Sequence, residues 1–320
     1  MRGGKQTPVC SRTVHSSDVV SHLRNRIVIK MKRLLTIILI FAIKNIGYCQ
    51  NKQIVGEVRN SENNEPLPYV NIGIANKTVG TVSNENGIFK LELNEKTTSK
   101  DTVIFSFIGF KTEKYLVSEL KNQKKTVLLQ PQNTELDEVV ITSNKIKLKP
   151  KKIGRTSKGL GLTHSNFYSY YEKDVDDRLS KERGMKFKIR KNCLIQDLNF
   201  NITSNDFKSL KFRVNFYKIE KGLPTELIVQ KNIIFEIKDN FLGWFKVNLE
   251  PYEIYLREEL DKIAVTIQWL ESVKTDKKSK YFAISTKASP THTAFFREKS
   301  MDSWNKGGQS LSFYLSALCE

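Results

Sequence analysis

The sequence contains few of the residues that would place it in several common classes of protein. Its 320 residues include only four cysteines, too few for a small scaffold held together by many disulfides. Eight prolines and 16 glycines exclude a collagen-like or low-complexity chain, and 39% hydrophobic residues are enough to fill real cores. At roughly 100–200 residues per domain, the length predicts two domains.

Long apolar runs are also missing. The run at residues 34–43 is short of the about 20 residues that a membrane-spanning helix needs. Basic residues precede it and small or polar residues follow, which predicts a signal peptide at residues 31–50. We expect Met31 to be the true start and residues 1–30 to be an upstream over-extension. Cleavage at the end of this segment predicts an exported protein that is periplasmic, associated with the outer membrane or extracellular. Acylation of Cys49, as in a lipoprotein, is the alternative.

Catalytic signatures are scarce. After removal of the signal peptide, His164 and His292 are the only histidines left in the sequence. Neither begins the H-x-x-E pattern of a metallocarboxypeptidase zinc site. There is no G-x-S-x-G turn for a nucleophilic serine and no glycine-rich loop for phosphate. The sequence therefore predicts no enzyme activity, no cofactor and no catalytic or metal site.

Acidic residues are outnumbered by basic ones, and the formal net charge is +19. Most of that excess lies in residues 1–50 and 144–192. The remaining parts of the chain are close to neutral, so neither predicted domain is basic enough for a nucleic-acid-binding surface. We expect no nucleic-acid partner.

Residues 51–143 have the alternation of half-buried strands. Ile54 and Val58 point one way while Val55 and Glu57 point the other. Six or seven short strands at about 8–12 residue spacing favour a β-sandwich.

One turn within this stretch is predicted in detail. Asn86 and Gly87 are expected to adopt positive φ, and the Asn84 side chain to bond its own backbone. The sequence therefore predicts a tight hairpin here.

Residues 53–142 resemble the carboxypeptidase-regulatory-like domain, a transthyretin-like β-sandwich found in envelope proteins of Bacteroidetes. The motifs that carry the resemblance are G-x-V at 56–58, P-L-P-x-V-N at 66–71, Gly80-Thr81, the turn at 84–89 and S-F-I-G-F at 106–110. In many relatives the plug and barrel of a TonB-dependent transporter follow, which need several hundred residues, more than this chain has left. The resemblance implies an auxiliary sandwich without catalysis.

Residues 144–184 form a basic joint in the sequence. Like charges and glycines predict an extended linker. The functional alternative is docking of Lys151, Lys152 and Arg155 to an anionic surface of the envelope. Asp174, Asp176 and Asp177 only partly match a calcium loop, since the required glycine is missing, and a solvated acidic turn is the favoured interpretation.

Residues 185–320 again show the alternation of apolar and polar side chains that is typical of strands. Leu198, Phe200 and Ile202 are predicted to face a core, with Thr266 and Gln268 facing outward on a later strand. About eight strands with one apolar face predict a jelly-roll-like sandwich. This segment resembles, with lower specificity, an uncharacterised C-terminal domain of flavobacterial proteins. The predicted fold class is therefore all-β, with a transthyretin-like sandwich followed by a jelly-roll-like one.

Exposed aromatic residues are candidates for stacking on sugars. Trp304, in a polar loop, is the leading one. Arg297, Phe296 and Tyr314 are further candidates. Trp269 and Trp244 are predicted to lie in the core.

The remaining cysteines, Cys193 and Cys319, can form a disulfide in an oxidising compartment or stay as two thiols.

The sequence as a whole predicts a noncatalytic binding or scaffolding protein of the cell envelope. A carbohydrate-binding module is the first alternative and an unrecognised hydrolase the second. An envelope protein or polysaccharide is the expected partner. A free sheet edge could recruit another chain by strand addition, but the sequence does not identify that edge.

Overall fold

The computed structural model describes residues 30, 32, 33, 53–121, 125–132, 148–159, 163–170, 174–289 and 294–320. Residues 1–51 and 52–320 form two compact units. In the first unit the described residues Lys30, Lys32 and Arg33 are helical and exposed. The rest of the predicted signal peptide, including Cys49, lies outside the described residues, as does His292. Within the described ranges, no helix is long and apolar enough to cross a membrane.

The second unit is built almost entirely of strands. In chain order they are β1 Gln53–Asn60, β2 Asn71–Ile74, β3 Gly80–Val82, β4 Ile88–Glu92, β5 Thr102–Ser106, β6 Glu113–Leu116, β7 Lys125–Leu129, β8 Lys149–Gly154, β9 His164–Asn166, β10 Glu182–Lys188, β11 Cys193–Asn205, β12 Phe207–Glu220, β13 Leu223–Leu227, β14 Ile233–Lys238, β15 Gly243–Asn248, β16 Ile254–Leu256, β17 Lys262–Lys274, β18 Phe282–Ala288, β19 Ala294–Arg297, β20 Asn305–Gly307, β21 Gln309–Leu311 and β22 Phe313–Cys319. The one α-helix labelled here, α1, is Val117–Leu120, and short 3-10 helices span Val175–Arg178, Glu250–Tyr252 and Glu258–Leu260. The predicted all-β class is confirmed.

The first sandwich consists of a three-stranded sheet, β4-β1-β7, and a four-stranded sheet, β3-β2-β5-β6. Strand β7 lies parallel to β1 and β4 lies antiparallel to it. The alternation predicted for β1 is confirmed, since Ile54 and Val58 are buried in a core with Phe89 and Phe105 from the other strands.

The predicted turn between β3 and β4 differs in two respects. Strand β3 and strand β4 belong to different sheets, so the segment connects the two layers and is not a hairpin. Gly87 has a φ of +72°, but Asn86 is absent from the residues with positive φ. The Asn84 Oδ1 atom accepts hydrogen bonds from the backbone N–H of Asn86 at 3.0 Å and of Ile88 at 2.9 Å. The Asn84 side chain therefore stabilises the turn in the manner of an Asx turn, without a second left-handed residue.

The second sandwich packs a seven-stranded sheet on an eight-stranded one. The first sheet runs β13-β12-β17-β10-β19-β20 with β14 also on β12, and the second runs β21-β18-β11-β22-β8 with β15, β16 and β9 attached. Leu198, Phe200 and Ile202 face the core between them, as predicted. Cys193 and Cys319 are cross-strand neighbours of β11 and β22 and are joined by a disulfide, with 4.1 Å between their Cα atoms.

Residues 144–184 are not simply an extended linker. Strand β8 pairs along its whole length with β22, so residues 149–154 form an edge of the second sandwich. Ile153 contributes to the core of that sandwich. The pairing with β22 satisfies backbone groups of residues 149–154 within the sheet. Lys149, Lys151 and Lys152 are exposed side chains of this edge strand.

Candidate binding site

The two sandwiches meet at a buried polar interface. Strands β2 and β3 lie against β12 and β17 and the segment after β19. The Asn71 Oδ1 atom accepts hydrogen bonds from Gln268 Nε2 at 2.8 Å and from Ser300 Oγ at 3.0 Å, and Asn76 N–H donates to the Met301 carbonyl at 3.0 Å. Thr266 and Gln268 do face outward, but they are buried. The outer face of their sheet is covered by the first sandwich and by residues 297–304, a tertiary contact that alternation does not reveal.

Close approach at this interface depends on a pair of glycines. Gly73 and Gly80 are directly opposite each other on β2 and β3. A Cβ atom on Gly73 would lie 2.3 Å from the backbone oxygen of Ser300, and one on Gly80 would lie 2.7 Å from it. The backbone of the second sandwich therefore rests on a bare patch of the first.

Arg213 connects the two sandwiches at the centre of the interface. Its side chain is 1% exposed. It donates from Nη2 to the Tyr69 carbonyl at 2.8 Å, from Nε to Asn232 at 2.8 Å and from Nη1 to Gln268 at 3.2 Å. Burial lowers the pKa of Arg213 to about 10. Tyr69 has a φ of +57°, a left-handed conformation uncommon for a tyrosine, which we attribute to its position in the interface.

A second set of contacts surrounds the Tyr69 hydroxyl. It donates to Glu271 at 2.8 Å and accepts from Lys211 Nζ at 3.2 Å, while Lys211 also pairs with Glu271 at 3.1 Å. Burial and the Glu271 carboxylate raise the pKa of Tyr69 to about 12. The tyrosine is therefore a neutral donor at any physiological pH.

Beside this interface the two sandwiches enclose an open groove of about 1290 Å³. One wall is formed by β3, β4 and the Asn84 turn. The other wall is formed by residues around 174–181, the end of β17 and residues 298–299. We call this space the interdomain groove. Sequence reasoning missed it because its walls come from segments about 90 to 210 residues apart in the chain.

The acidic turn lines this groove. Asp174 Oδ1 accepts from the Val175 N–H, and Asp177 Oδ2 accepts from the Asp174 N–H at 3.2 Å, so the two carboxylates cap the short 3-10 helix Val175–Arg178. Partial desolvation, followed by the charges of Asp174 and Asp177, raises the pKa of Asp176. In the described part of the chain, no group of three or more His, Cys, Asp or Glu residues is placed to hold a metal ion.

The structure brings together Trp304 and Arg297 from the predicted set. The Arg297 guanidinium lies 4.5 Å from the centre of the Trp304 ring, and Trp304 packs edge-on against Tyr217 at 5.4 Å. Arg297 is committed to the buried carboxylate of Glu182 at 2.6 Å and to the Tyr217 hydroxyl at 3.0 Å. Glu182 also accepts hydrogen bonds from Asn215 and Thr266. These contacts make Trp304 and Arg297 part of the packing of the sheet's outer face.

The predicted core position of Trp244 is wrong. Along β15 the core-facing residues are Phe245 and Val247, so Trp244 points to the outer face of the eight-stranded sheet. There it meets Tyr314 at 5.2 Å between ring centres, and Lys152 Nζ lies 5.2 Å from the centre of the Tyr314 ring. We call these three residues the aromatic face. Trp269, by contrast, is fully buried as predicted.

The basic candidates divide between two roles. Lys151 and Lys152 are exposed on β8 and border a small pocket of about 340 Å³ that is also lined by Lys186, Lys188 and Arg190. The Arg155 guanidinium donates to the carbonyls of Ser310 and Lys158, each at 3.0 Å, which fixes the chain after β8. Only the two lysines are therefore available to a ligand.

Comparison with known proteins agrees with the family expected for the first sandwich. Residues 54–141 match the family described as the CarboxypepD_reg-like domain. A segment of 112 residues is 30% identical to TonB-dependent receptor P3 of Formosa agariphila and covers 34% of this chain and 11% of that receptor. This chain thus matches about a tenth of the receptor's length.

A solved structure, that of infectious bursal disease virus Gt strain, aligns with 83% of this chain and 62% of its own at 7% identity and a TM-score of 0.23. A score this low supports no conclusion about fold or function.

Proposed function

We propose that this protein is a noncatalytic binding protein of the cell envelope of Bacteroidetes, in which two β-sandwiches act as one rigid body. One observation carries this proposal: the two sandwiches are locked through Arg213, Asn71 and the Gly73–Gly80 patch, and the lock leaves an open groove beside it. The segment similar to a TonB-dependent receptor supports placement in the envelope.

The charged groups with the most unusual surroundings support a structural role. Glu182 and Arg297 neutralise each other beneath Trp304, and Arg213 holds the interface. A catalytic site instead needs titratable groups that converge on a space where substrate can sit. Assays of the purified protein with peptide, ester and glycan substrates should give no turnover. Reproducible turnover that one point substitution abolishes would contradict this part of the proposal.

Envelope binding is tested by fractionation of native envelopes followed by chemical crosslinking to the tagged full-length chain. The tagged protein is expected in the envelope fraction, with specific crosslinks that involve the 52–320 unit. Recovery of the protein only in the cytosol would contradict the proposal.

Carbohydrate recognition is the second candidate function, and the aromatic face favours it. Aromatic rings offer flat apolar surfaces for sugar rings, and the neighbouring lysine can pair with acidic substituents. Asn201 lies opposite Trp244 in the sheet, and its buried Nδ2 has no hydrogen-bond partner among the described residues. An amide donor beside these half-buried rings suits a sugar hydroxyl.

A glycan array tests this candidate with the wild type and Trp244→Ala. Tyr170→Ala is the matched control, because Tyr170 is an 85% exposed aromatic residue in a turn. Sugar binding that Trp244→Ala loses and Tyr170→Ala keeps would support it. Absence of binding, or equal binding by all three proteins, would exclude the aromatic face as a sugar site.

A further inference from the structure

The interdomain groove contains an open sheet edge. Strand β4 is the terminal strand of its sheet, with β1 on one side and no strand on the other in the described part of the chain. Exposed edges of this kind can accept an extended segment from another chain. Four of the five residues of β4 line the groove.

The hydrogen-bond pattern identifies which backbone groups of β4 face the open side. The Val58 N–H donates to the Gly87 carbonyl at 2.8 Å, so every second residue of β1 from Val58 backwards bonds toward β4. The β1 residues with this orientation are Gly56 and Ile54, and their partners in register on β4 are Phe89 and Leu91. The peptide groups of Lys90 and Glu92 therefore point away from β1. Ile88 obeys the same parity, because its N–H and carbonyl both bond Asn84 on the outer side.

Other sheet edges in the described residues lack this enclosure. Strand β8 carries Pro150 and three lysines, which are features that discourage strand pairing. Strand β3 has three residues, and its Gly80 is covered by the backbone of Ser300. Among the described strands, β4 combines an open edge with an opposite wall supplied by the second sandwich.

Size and charge indicate the kind of ligand. The groove volume of about 1290 Å³ exceeds the range of about 300–1,000 Å³ usual for small-molecule sites. Seven carboxylate side chains and three lysines line it. Each lysine has an internal partner: Lys90 pairs with Glu92 at 2.8 Å, Lys181 with Glu298 at 2.7 Å, and Lys299 donates to the Asp177 carbonyl at 2.6 Å. Three further cations reach the acids from outside: Lys211 pairs with Glu271 and Glu85, Lys274 with Asp174, and Arg183 with Glu298. Among the described residues, seven carboxylates therefore meet six cations, so a small excess of negative charge remains in the groove.

We propose that the interdomain groove binds an extended, lysine- or arginine-rich segment of another protein, which adds a strand to the open edge of β4. The Lys90 and Glu92 backbone groups supply the pairing hydrogen bonds. The Asp174–Asp177 turn faces the basic side chains of the ligand. This inference rests on the proposed binding function and deepens it by naming the class of partner.

The test uses the full chain and a fluorescent synthetic peptide that alternates lysine and valine. Lys90→Pro removes one open-side N–H and leaves the β1–β4 pairing intact. Lys114→Pro is the matched control. The Val117 N–H donates to the Asp101 carbonyl, so Tyr115 bonds toward β5 and Lys114 faces the open side of β6, outside the groove. A peptide with N-methylated backbone amides probes the same hydrogen bonds without changing the protein.

Fluorescence anisotropy should show binding by the wild type and by Lys114→Pro, with affinity reduced about tenfold in Lys90→Pro and for the N-methylated peptide. A peptide that alternates glutamate and valine should not bind. No binding of the lysine peptide to the wild type, or equal binding of the acidic peptide, would overturn the inference. A dimer of the chain that Lys90→Pro abolishes, without peptide binding, would assign the groove to a second copy and also overturn it.

The envelope crosslinking experiment separates this inference from the proposed function. Crosslinks that persist unchanged in Lys90→Pro would leave the binding function standing while the groove inference fails. Loss of all envelope association in the wild type would remove the proposed function itself.

Discussion

Gly73→Ala should separate the two sandwiches. The added Cβ would lie 2.3 Å from the Ser300 backbone oxygen, and contacts below about 3.0 Å are not tolerated. Because the obstacle is backbone on both sides, neither group can rotate away. Relief requires Ser300 and its neighbours to retreat by about 1 Å, which exceeds the tolerance of a good hydrogen bond.

The cost follows from the bonds that such a shift would break. Three interdomain hydrogen bonds lie within a few residues of Gly73: those from Gln268 and from Ser300 to Asn71, and that from Asn76 to Met301. At about 1 kcal/mol each, their loss destabilises the folded chain by about 2–3 kcal/mol. For a chain of this size we expect the melting temperature to fall by roughly 4–12 °C.

Thermal unfolding followed by circular dichroism checks this magnitude. Gly308→Ala is the control, because a Cβ at Gly308 meets nothing within 4 Å and its φ is not positive. The control should melt within about 2 °C of the wild type, since surface changes are usually within about 0.5 kcal/mol. A Gly73→Ala protein as stable as the control would refute the close approach and the interface built on it.

Two further predictions concern buried charge and the disulfide. Lys181 and Arg183 outweigh burial and hold the pKa of Glu298 below its ordinary value of 4.5. The stabilisation is therefore present above about pH 4.5 and is lost as the pH falls through the lower folded-state pKa. Glu298→Gln should destabilise the protein by about 2 kcal/mol at pH 7, with a smaller difference in acid; Glu220→Gln, at an exposed pair with Lys218, should have almost no effect. A difference for Glu298→Gln that is constant with pH would contradict the ion pairs. Replacing Cys193 and Cys319 by serine should cost about 2–4 kcal/mol in urea unfolding, and reductant should destabilise the wild type but not the variant. Equal stability with and without reductant would mean that no disulfide stabilises the protein.

The cores of both sandwiches could be predicted from the sequence because burial on one face imposes a period of two. Leu198, Phe200 and Ile202 show this, and so do Ile54 and Val58. The family of the first sandwich could also be recognised from the sequence, because its motifs occupy turns and strands with fixed geometry.

The interface and the groove could not be predicted in the same way. The alternation along their strands predicts solvent-facing positions for Arg213, Thr266 and Gln268. They are buried because the first sandwich docks on this face of the sheet. Trp244 lies in the hydrophobic stretch FLGWF, which favours a core position. Because Phe245 and Val247 face the core, the alternation of β15 places Trp244 on the outer face. Strand β8 is predicted as a linker from the sequence because its lysines and proline are typical both of a charged linker and of an edge strand.

Calorimetry of the wild-type chain tests most directly whether the two sandwiches are one body. Because Arg213 and the Gly73–Gly80 patch join them, we predict a single transition with equal calorimetric and van't Hoff enthalpies for the 52–320 unit. Two separate transitions, one for each sandwich, would contradict the account, since the groove would then have no fixed opposite wall.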